Sequence, residues 1–344
     1  MLLLLSTGAS AADFQGRARL WVGPAFDSNA KRDFVSSTVA TQPDLFLFGS
    51  GQLEGILKLG ERVRLLGSYD VGGRKFVFAP TEDTVVQAAQ LEGTVTFANY
   101  FAVGLAGHAR DRRGAERDYT DLVGGAVVDF FPTPSVDMRV QVSAHRFLFY
   151  NRFSYSFWGP DGTVSARYRF NRRHSVSVFG SYNARTFNGL ARHAPGPEGA
   201  EPPPDETRFD PVFGAGASYS FRGPFHFSFS YSYTDNQGSN MYGERVQRHR
   251  LNGTAAFRLP WALTLLTSLT WQPTVFLDHV YLATNDLTVV EDDENVSSLT
   301  LKLVKPLNKY LDLDVRYAGY LGFLPQNDFL YLRHVVSLGL AVNF

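Results

Sequence analysis

The sequence contains no cysteine, only three methionines among 344 residues, and no excess of either charge, because 33 lysines and arginines balance 33 aspartates and glutamates. Without cysteine the chain has neither a disulfide framework nor a thiolate metal site, although an oxidising compartment remains allowed. The zero net charge removes any global argument for nucleic acid as a partner. The helical periodicity of a soluble domain of this size is also almost absent. These absences argue against most soluble α and α/β folds.

What the chain has instead is strict alternation between apolar and polar residues. The clearest stretch is 225–233, where every odd position is aromatic and every even position is polar. Residues 136–142, 298–303 and 311–317 repeat the pattern, and a period of two predicts strands with one apolar face. The uncharged stretch 259–277 contains two prolines and spaces its hydrophobic residues two or four apart, so it also predicts a strand. With no helical candidate, the chain would enter a membrane only as a closed barrel.

Turn signals divide the chain into about sixteen strands. Tight turns alternate along the sequence with longer polar loops, and the resulting fifteen connections leave an even number of strands. The tight turns are predicted at 60–61, 99–100, 132–134, 171–173, 222–224, 259–261 and 306–309. The loops are predicted near 27–43, 78–84, 111–118, 150–162, 188–207, 236–245, 278–294 and 324–329. The predicted fold class is an all-β, antiparallel, up-and-down transmembrane barrel.

Aromatic residues bracket these strands at both ends, as membrane–water interfaces select. Near the tight turns the sequence has Tyr100, Phe130, Phe170, Phe225, Trp261, Tyr310 and Phe344. Near the loops it has Phe149, Tyr150, Phe153, Trp158 and Tyr331. A soluble sandwich also alternates, but its shorter strands are rarely bracketed in this way. The aromatic belts therefore favour the membrane barrel.

The carboxyl-terminal stretch combines alternation with a specific ending. Ser337, Gly339, Val342 and the final Phe344 place a polar residue, a glycine, a hydrophobic residue and an aromatic at fixed spacing. This tail resembles the C-terminal assembly signal of bacterial outer-membrane β-barrels. The resemblance covers the last strand only. It implies an outer-membrane location with both termini in the periplasm, contact with outer-membrane lipid and lipopolysaccharide, and the barrel-assembly machinery as a partner during biogenesis.

The amino-terminal residues predict a cleavable signal peptide. Leu2 to Leu5 form a short apolar segment, and Ala9-Ser10-Ala11 matches a small-x-small cleavage site, although no basic segment precedes it. The alternative is an apolar N-terminus of a cytoplasmic protein. We predict that residues 1–12 are the remnant of the signal peptide and that residues 13–344 form a single barrel domain.

If the polar face of each strand points inward, the lumen is predicted to carry more bases than acids. The loops have the opposite bias at Glu198, Glu201 and residues 291–294. Fixed cations in a water-filled pore concentrate anions and repel cations. The alternative is that the arginines pair with neighbouring carboxylates and fill the lumen. The arginines expected to set the preference are Arg62, Arg64, Arg139, Arg167, Arg169, Arg248, Arg250 and Arg316.

Two function classes remain open from the sequence. The first is a porin-like channel that passes small, anionic solutes. The second is the exit barrel or scaffold of a machine that secretes a polysaccharide or another surface polymer, which would add secretion-complex partners. A homo-oligomer would need a flat outer patch of small residues, for which 124–126 and 214–217 are candidates. Small-molecule cofactors and bound metals are not predicted, because phosphate loops, zinc spacings and dinucleotide fingerprints are missing.

A minor alternative is an outer-membrane lipid hydrolase. Ser143 and His145 share one strand face two residues apart, which could bring a hydroxyl and a base together. The sequence identifies no third residue that would orient the histidine. The chain is therefore predicted not to be an enzyme.

Overall fold

The computed structural model is a closed barrel of sixteen antiparallel strands, as the sequence predicts. It describes residues 12–31, 41–98, 100–114, 118–151, 153–191, 206–238, 245–276, 296–324 and 329–344. The strand segments are β1 (Ala12–Asp27), β2 (Asp44–Leu59), β3 (Val63–Phe76), β4 (Thr84–Ala98), β5 (Phe101–Gly114), β6 (Tyr119–Thr133), β7 (Val136–Phe149), β8 (Phe157–Arg169), β9 (His174–Leu190), β10 (Thr207–Arg222), β11 (His226–Asn236), β12 (Val246–Arg258), β13 (Thr264–Trp271), β14 (Thr274–Phe276), β15 (Ser297–Pro306), β16 (Leu311–Leu324) and β17 (Phe329–Asn343).

The stretch 259–277 forms one crossing of the barrel in two segments. Strand β13 and the short β14 both pair with β12, and Gln272 and Pro273 separate them. Proline has no amide hydrogen to donate to a neighbouring strand, which explains the break at this position. The prediction of a strand here is confirmed, and seventeen strand segments make sixteen crossings.

The barrel closes because β1 pairs with both β2 and β17. The register joins Arg19 to Asn343 and Asp27 to Val335, and the amide of Phe344 donates to the carbonyl of Ala18 at 2.9 Å. Each of the sixteen crossings therefore pairs with a neighbouring crossing on both sides, as a closed barrel requires. Gly23 lies in this seam, where a side chain would collide with the carbonyl of Leu338 at 1.9 Å.

The connections follow the predicted alternation. One rim, called here the short-turn end, carries the seven tight turns, and strand β1 begins and β17 ends there. The other rim, the long-loop end, carries the longer connections. In the turn after β12, Trp261 and Ala262 have positive φ angles of 61° and 58°. Three strands extend further into the predicted loops than expected: β5 continues to Gly114 in 111–118, β8 begins at Phe157 in 150–162, and β9 continues to Leu190 in 188–207.

Side chains alternate between an exposed outer face and a less exposed inner face. On β2, Leu45 and Leu47 are 52% and 61% exposed, whereas Phe46 and Phe48 are 6% and 9% exposed. The outer face carries most of the large apolar residues, together with aromatic residues at both rims, among them Trp261, Tyr310, Tyr150 and Trp158. This is the distribution that a lipid-facing barrel surface requires.

Two aromatic residues of the predicted belts do not face outward. Phe149 and Tyr331 lie on the inner face, since they pair in register with the inner residues Tyr119 and Gly322. Both residues lie near the loops, as expected, but their side chains are on the inner face of the barrel. In the described parts of the chain, no helix is long and apolar enough to cross a membrane.

Candidate functional site

The inner face of the barrel is the candidate functional surface, and Arg139 shows which face is concave. From β7 its guanidinium donates to Asp129 on β6 at 2.7 Å and to Glu92 on β4 at 2.7 Å. Strand β5 also lies between β4 and β6, so a side chain can span this distance only across a concave wall. A residue that pairs in register with an inner residue lies on the same face of the sheet. The register therefore identifies the inner residues of the neighbouring strands.

The structure places seven of the eight arginines that the sequence singles out on inner strand faces. Arg62 lies instead in the turn between β2 and β3, where its carbonyl accepts a hydrogen bond from the amide of Thr96 at 2.8 Å. The remaining seven on inner faces are Arg64, Arg139, Arg167, Arg169, Arg248, Arg250 and Arg316.

Several inner cations are held by carboxylates, which is the alternative that the sequence left open. Arg169 pairs with Asp137 on β7, and Lys302 on β15 lies 3.3 Å from Asp314 on β16. Together with the contacts of Arg139, these pairs tie adjacent strands together across the wall. Ion pairs of this kind stabilise the barrel wall, but they do not determine whether the other charged side chains make the lumen positive or negative.

A fully buried ion pair joins the first strand to the last. Arg333 on β17 donates from Nε to both carboxylate oxygens of Asp27 on β1, each at 3.0 Å, and both side chains are fully buried. Asp27 also accepts from the amide of Asn29 at 2.9 Å, and the guanidinium of Arg333 lies 5.4 Å from the ring centroid of Tyr320. This two-pronged geometry satisfies both charges, as a buried pair requires.

An apolar cluster lies on the inner wall beside this pair. Phe46, Phe48 and Phe76 are buried there with Ala25, Ala30 and Ala79, and Trp21 packs against them. The ring centroids of Trp21 and Phe48 are 4.2 Å apart, and those of Phe46 and Phe76 are 4.9 Å apart. Part of the lumen near the long-loop end is therefore filled by a packed core.

The sequence does not predict this cluster, because the polar residues of each strand are expected to face the lumen. A signal was present in Leu45-Phe46-Leu47-Phe48, where apolar residues occupy both faces of the strand. A run that is apolar on both faces predicts burial on both sides. The same pattern occurs at Phe147-Leu148-Phe149, which also places rings inside the barrel.

The connection between β3 and β4 folds over the apolar cluster and is held there by two carboxylates. Asp44 accepts from the amides of Phe78 and Ala79 at 2.9 and 2.7 Å. Asp83 accepts from the amide of Phe76 at 2.8 Å and pairs with Lys75. Although partial burial of Asp83 works in the opposite direction, these contacts hold the pKa of its carboxyl below the usual value.

A second group of rings covers the inner wall of β6 to β9. Phe147 stacks on Tyr119 and on Phe157, with centroid distances of 5.2 and 5.4 Å, and Phe157 contacts Phe187 at 5.2 Å. On β10, the guanidinium of Arg208 lies 3.9 Å from the centroid of Phe187. The guanidinium of Arg185 lies 5.1 Å from the centroid of Phe157, so two of these rings are in cation–π contact with arginines.

The histidine of the candidate hydrolase pair is engaged elsewhere. His145 contacts Asp121 through Nε2 at 2.7 Å, and its Nδ1 accepts from the amide of Asn183 at 3.1 Å. The Ser143 hydroxyl accepts from Gln141 at 3.1 Å. Both ring nitrogens therefore have partners other than Ser143, and the site lacks the hydroxyl–base contact that nucleophilic catalysis needs.

Two cavities on the inner wall differ in character. The larger, about 480 Å³, is lined by polar residues such as Glu54, Ser68, Gln90, Glu92 and His108. The smaller, about 70 Å³, lies against the apolar cluster. Groups of three or more histidine, cysteine or acidic side chains able to hold a metal ion are absent from the portion of the chain that the structure describes.

The barrel resembles solved outer-membrane channels. OmpF of Salmonella typhi, solved in complex with daunomycin, matches with a TM-score of 0.52 at 11% identity over 96% of this chain and 97% of that chain. A bacterial polysaccharide outer-membrane secretin matches with a TM-score of 0.47 at 11% identity, over 95% of this chain and 98% of that chain. The TodX monoaromatic hydrocarbon channel, as its deltaS2 mutant, has a TM-score of 0.44 at 11% identity, over 96% of this chain and 89% of that chain.

Strand number, closure and the match to OmpF together define a barrel with the porin fold. At such low identities the likeness concerns the fold alone. No protein-family model matches the sequence, and no curated protein matches it either.

Proposed function

We propose that this protein is a channel of the bacterial outer membrane through which small, anionic solutes cross by a basic lumen. The observation that supports this proposal most directly is the excess of bases over acids on the inner strand faces. The inner bases are Arg17, Arg19, Lys58, Arg64, Arg74, Arg110, Arg112, Arg139, Arg167, Arg169, Arg185, Arg208, Arg222, Arg248, Arg250, Arg258, Lys302, Arg316 and Arg333. The inner acids are Asp13, Asp27, Asp44, Glu54, Asp70, Glu92, Asp121, Asp129, Asp137, Asp161, Asp210, Asp312 and Asp314.

Ion pairing does not remove the excess of bases, since a pair cancels one base against one acid and Arg139 pairs with two acids. Arg139 alone holds two carboxylates, those of Glu92 and Asp129. Asp27 and Asp210 each pair with a buried arginine. The bases that exceed these pairs give the wall a positive field, which raises the local anion concentration in a narrow aqueous pore.

The outer surface supports the proposed location. Its exposed leucines, valines and aromatic rings form the apolar band of a barrel in lipid, with outer-membrane lipid and lipopolysaccharide as its surroundings. The rim with short turns would then face the periplasm. The barrel-assembly machinery would be its partner during insertion, with the tail ending in Phe344 as the signal.

Solute release from proteoliposomes tests the proposal. Gluconate, glucose and glucosamine are close in size and differ in charge, so a basic lumen should release gluconate faster than glucose and glucosamine most slowly. The assay loads each sugar into vesicles with and without the refolded protein. Equal leakage of all three sugars would contradict anion preference, and no leakage above that of empty vesicles would contradict an open channel and leave the export barrel or scaffold.

A further inference from the structure

We propose that the smaller inner cavity is a binding site for small carboxylates that carry an apolar ring, such as benzoate. This inference rests on the proposed function, since it names the class of anion that the channel would select. The residues that line the cavity combine rings and cations, and the six on which the inference depends are Trp21, Phe48, Tyr320, Arg74, Arg112 and Arg316.

The charges that line the cavity all have one sign. Among the described residues, three guanidinium groups line it, from Arg74, Arg112 and Arg316, and no carboxylate does. The nearby acids Asp27 and Asp314 are held by Arg333 and Lys302. Guanidinium groups recognise carboxylates through paired hydrogen bonds, and partial burial strengthens such contacts. A carboxylate would therefore be favoured over a neutral or cationic group.

The walls favour an apolar ring as the rest of the ligand. Trp21 and Phe48 are in ring contact at 4.2 Å, and the hydroxyls of Ser50, Thr84 and Ser337 complete the lining. Guanidinium groups bind phosphate as well as carboxylate, but phosphate has no apolar part that could contact the rings of Trp21 and Phe48. An apolar ring gains contact with the same surfaces.

The rings are fixed in place before any ligand arrives. Phe46 and Phe76 back the cavity, Lys302 Nζ lies 4.5 Å from the centroid of the Trp21 ring, and the indole occupies space left by Gly339. A Cβ at Gly339 would lie 2.0 Å from the indole Nε1. Binding to a preformed site avoids the cost of ordering side chains.

The size of the cavity limits the ligand to a single ring. Its volume is about 70 Å³. On that measure one water needs roughly 10–15 Å³, so the space holds several waters. A cavity that holds benzene measures about 150 Å³, so a ring with one carboxyl group would fill this cavity and extend beyond it into the lumen.

The site can be tested by fluorescence, because Trp21 is the inner-face tryptophan and the other three lie on the outside or in a turn. A background with Trp158→Phe, Trp261→Phe and Trp271→Phe leaves the Trp21 signal alone. We expect saturable change of that signal with benzoate and at least about tenfold weaker binding of benzyl alcohol and of acetate. Equal binding of benzyl alcohol, or tighter binding of inorganic phosphate than of benzoate, would overturn the proposal.

Charge variants in that background complete the test. Arg74→Gln and Arg316→Gln should each raise the benzoate Kd about tenfold, whereas Arg222→Gln, on the inner face at the short-turn rim, should leave it unchanged. Heat-modifiable migration on gels checks folding of each variant. Anion release from vesicles without benzoate binding would contradict the binding site but not the channel. Benzoate binding by a protein that releases no solute would contradict the channel but not the binding site.

Discussion

At the scale of single residues, the interior is organised by a few side chains with complementary charge or shape. Asp27 and Arg333 are both fully buried, and each satisfies the other's charge. Removing one partner of such a pair leaves an uncompensated buried charge, which costs about 3–5 kcal/mol, whereas removing both costs less. This pair joins β1 to β17, so its energy supports the seam at which the barrel closes.

We predict that Asp27→Asn and Arg333→Gln each lower the free energy of unfolding by about 3 kcal/mol or more. The double variant should lose less than the sum of the two, because the remaining amides can bond to each other. Urea titrations in detergent micelles, with intrinsic fluorescence as the signal, measure both quantities. Additive losses would show that the two side chains do not stabilise each other.

Gly339 illustrates a residue whose role comes from its missing side chain. In the sequence it belongs to the C-terminal tail that resembles the assembly signal, and in the structure it makes room for the Trp21 indole. Gly339→Ala should displace the indole and change the Trp21 emission in the background that lacks the other tryptophans. Gly253→Ala is the matched control, because a Cβ there meets nothing within 4 Å. Identical spectra for both variants would contradict this packing role.

At the scale of elements, strands follow from the sequence more readily than the face that each ring occupies. Period-two alternation and turn residues predict the crossings, and even the interrupted strand at 264–276 is read correctly from its spacing. Phe46 and Phe147 escape that reasoning because their neighbours Leu47 and Leu148 are also apolar, so neither face is marked as outward. Which face points inward is settled only by contacts across strands, such as that of Arg139 with Glu92.

The connection between β3 and β4 should loosen in acid. The pKa of Asp83 lies below its ordinary value of about 4 in an unfolded chain. Above about pH 4 the carboxylate is ionised and binds both Lys75 and the Phe76 amide. These contacts are lost as the pH falls through the lower pKa of the folded state. The chain has no cysteine, so Thr81→Cys accepts a single nitroxide label. We expect its mobility to rise as the pH falls below about 4.

Asp83→Asn is the control for this prediction. Its label should be more mobile at neutral pH and less sensitive to acid, with Asp44 still bonded to the amides of Phe78 and Ala79. If the variant keeps the full acid response, Asp44 rather than Asp83 governs the movement of this connection.

At the scale of the whole molecule, the sequence predicts the barrel but not the shape of its interior. Strand number, closure and the apolar outer face all follow from alternation, because one face must meet an apolar surrounding. The interior depends on long-range register, which brings Trp21 of β1, Arg74 of β3 and Arg316 of β16 to one cavity. No local sequence pattern predicts that these three residues line one cavity, because they come together only when the first and last strands pair.

We propose above that the lumen conducts ions and prefers anions. The variant Arg64→Glu/Arg167→Glu should reduce or reverse that preference, because both arginines lie on inner strand faces. Arg172→Glu, in the turn after β8, makes the same change of charge outside the strands and should have a smaller effect.

The most direct measurement is the reversal potential of the refolded protein in a planar bilayer under a salt gradient. We expect stepwise conductance with a reversal potential of the sign set by anions, and a shift toward cations in Arg64→Glu/Arg167→Glu. Stepwise conductance with cation selectivity in the unmodified protein would contradict the basic lumen. A folded, heat-modifiable protein without steps would contradict the channel itself.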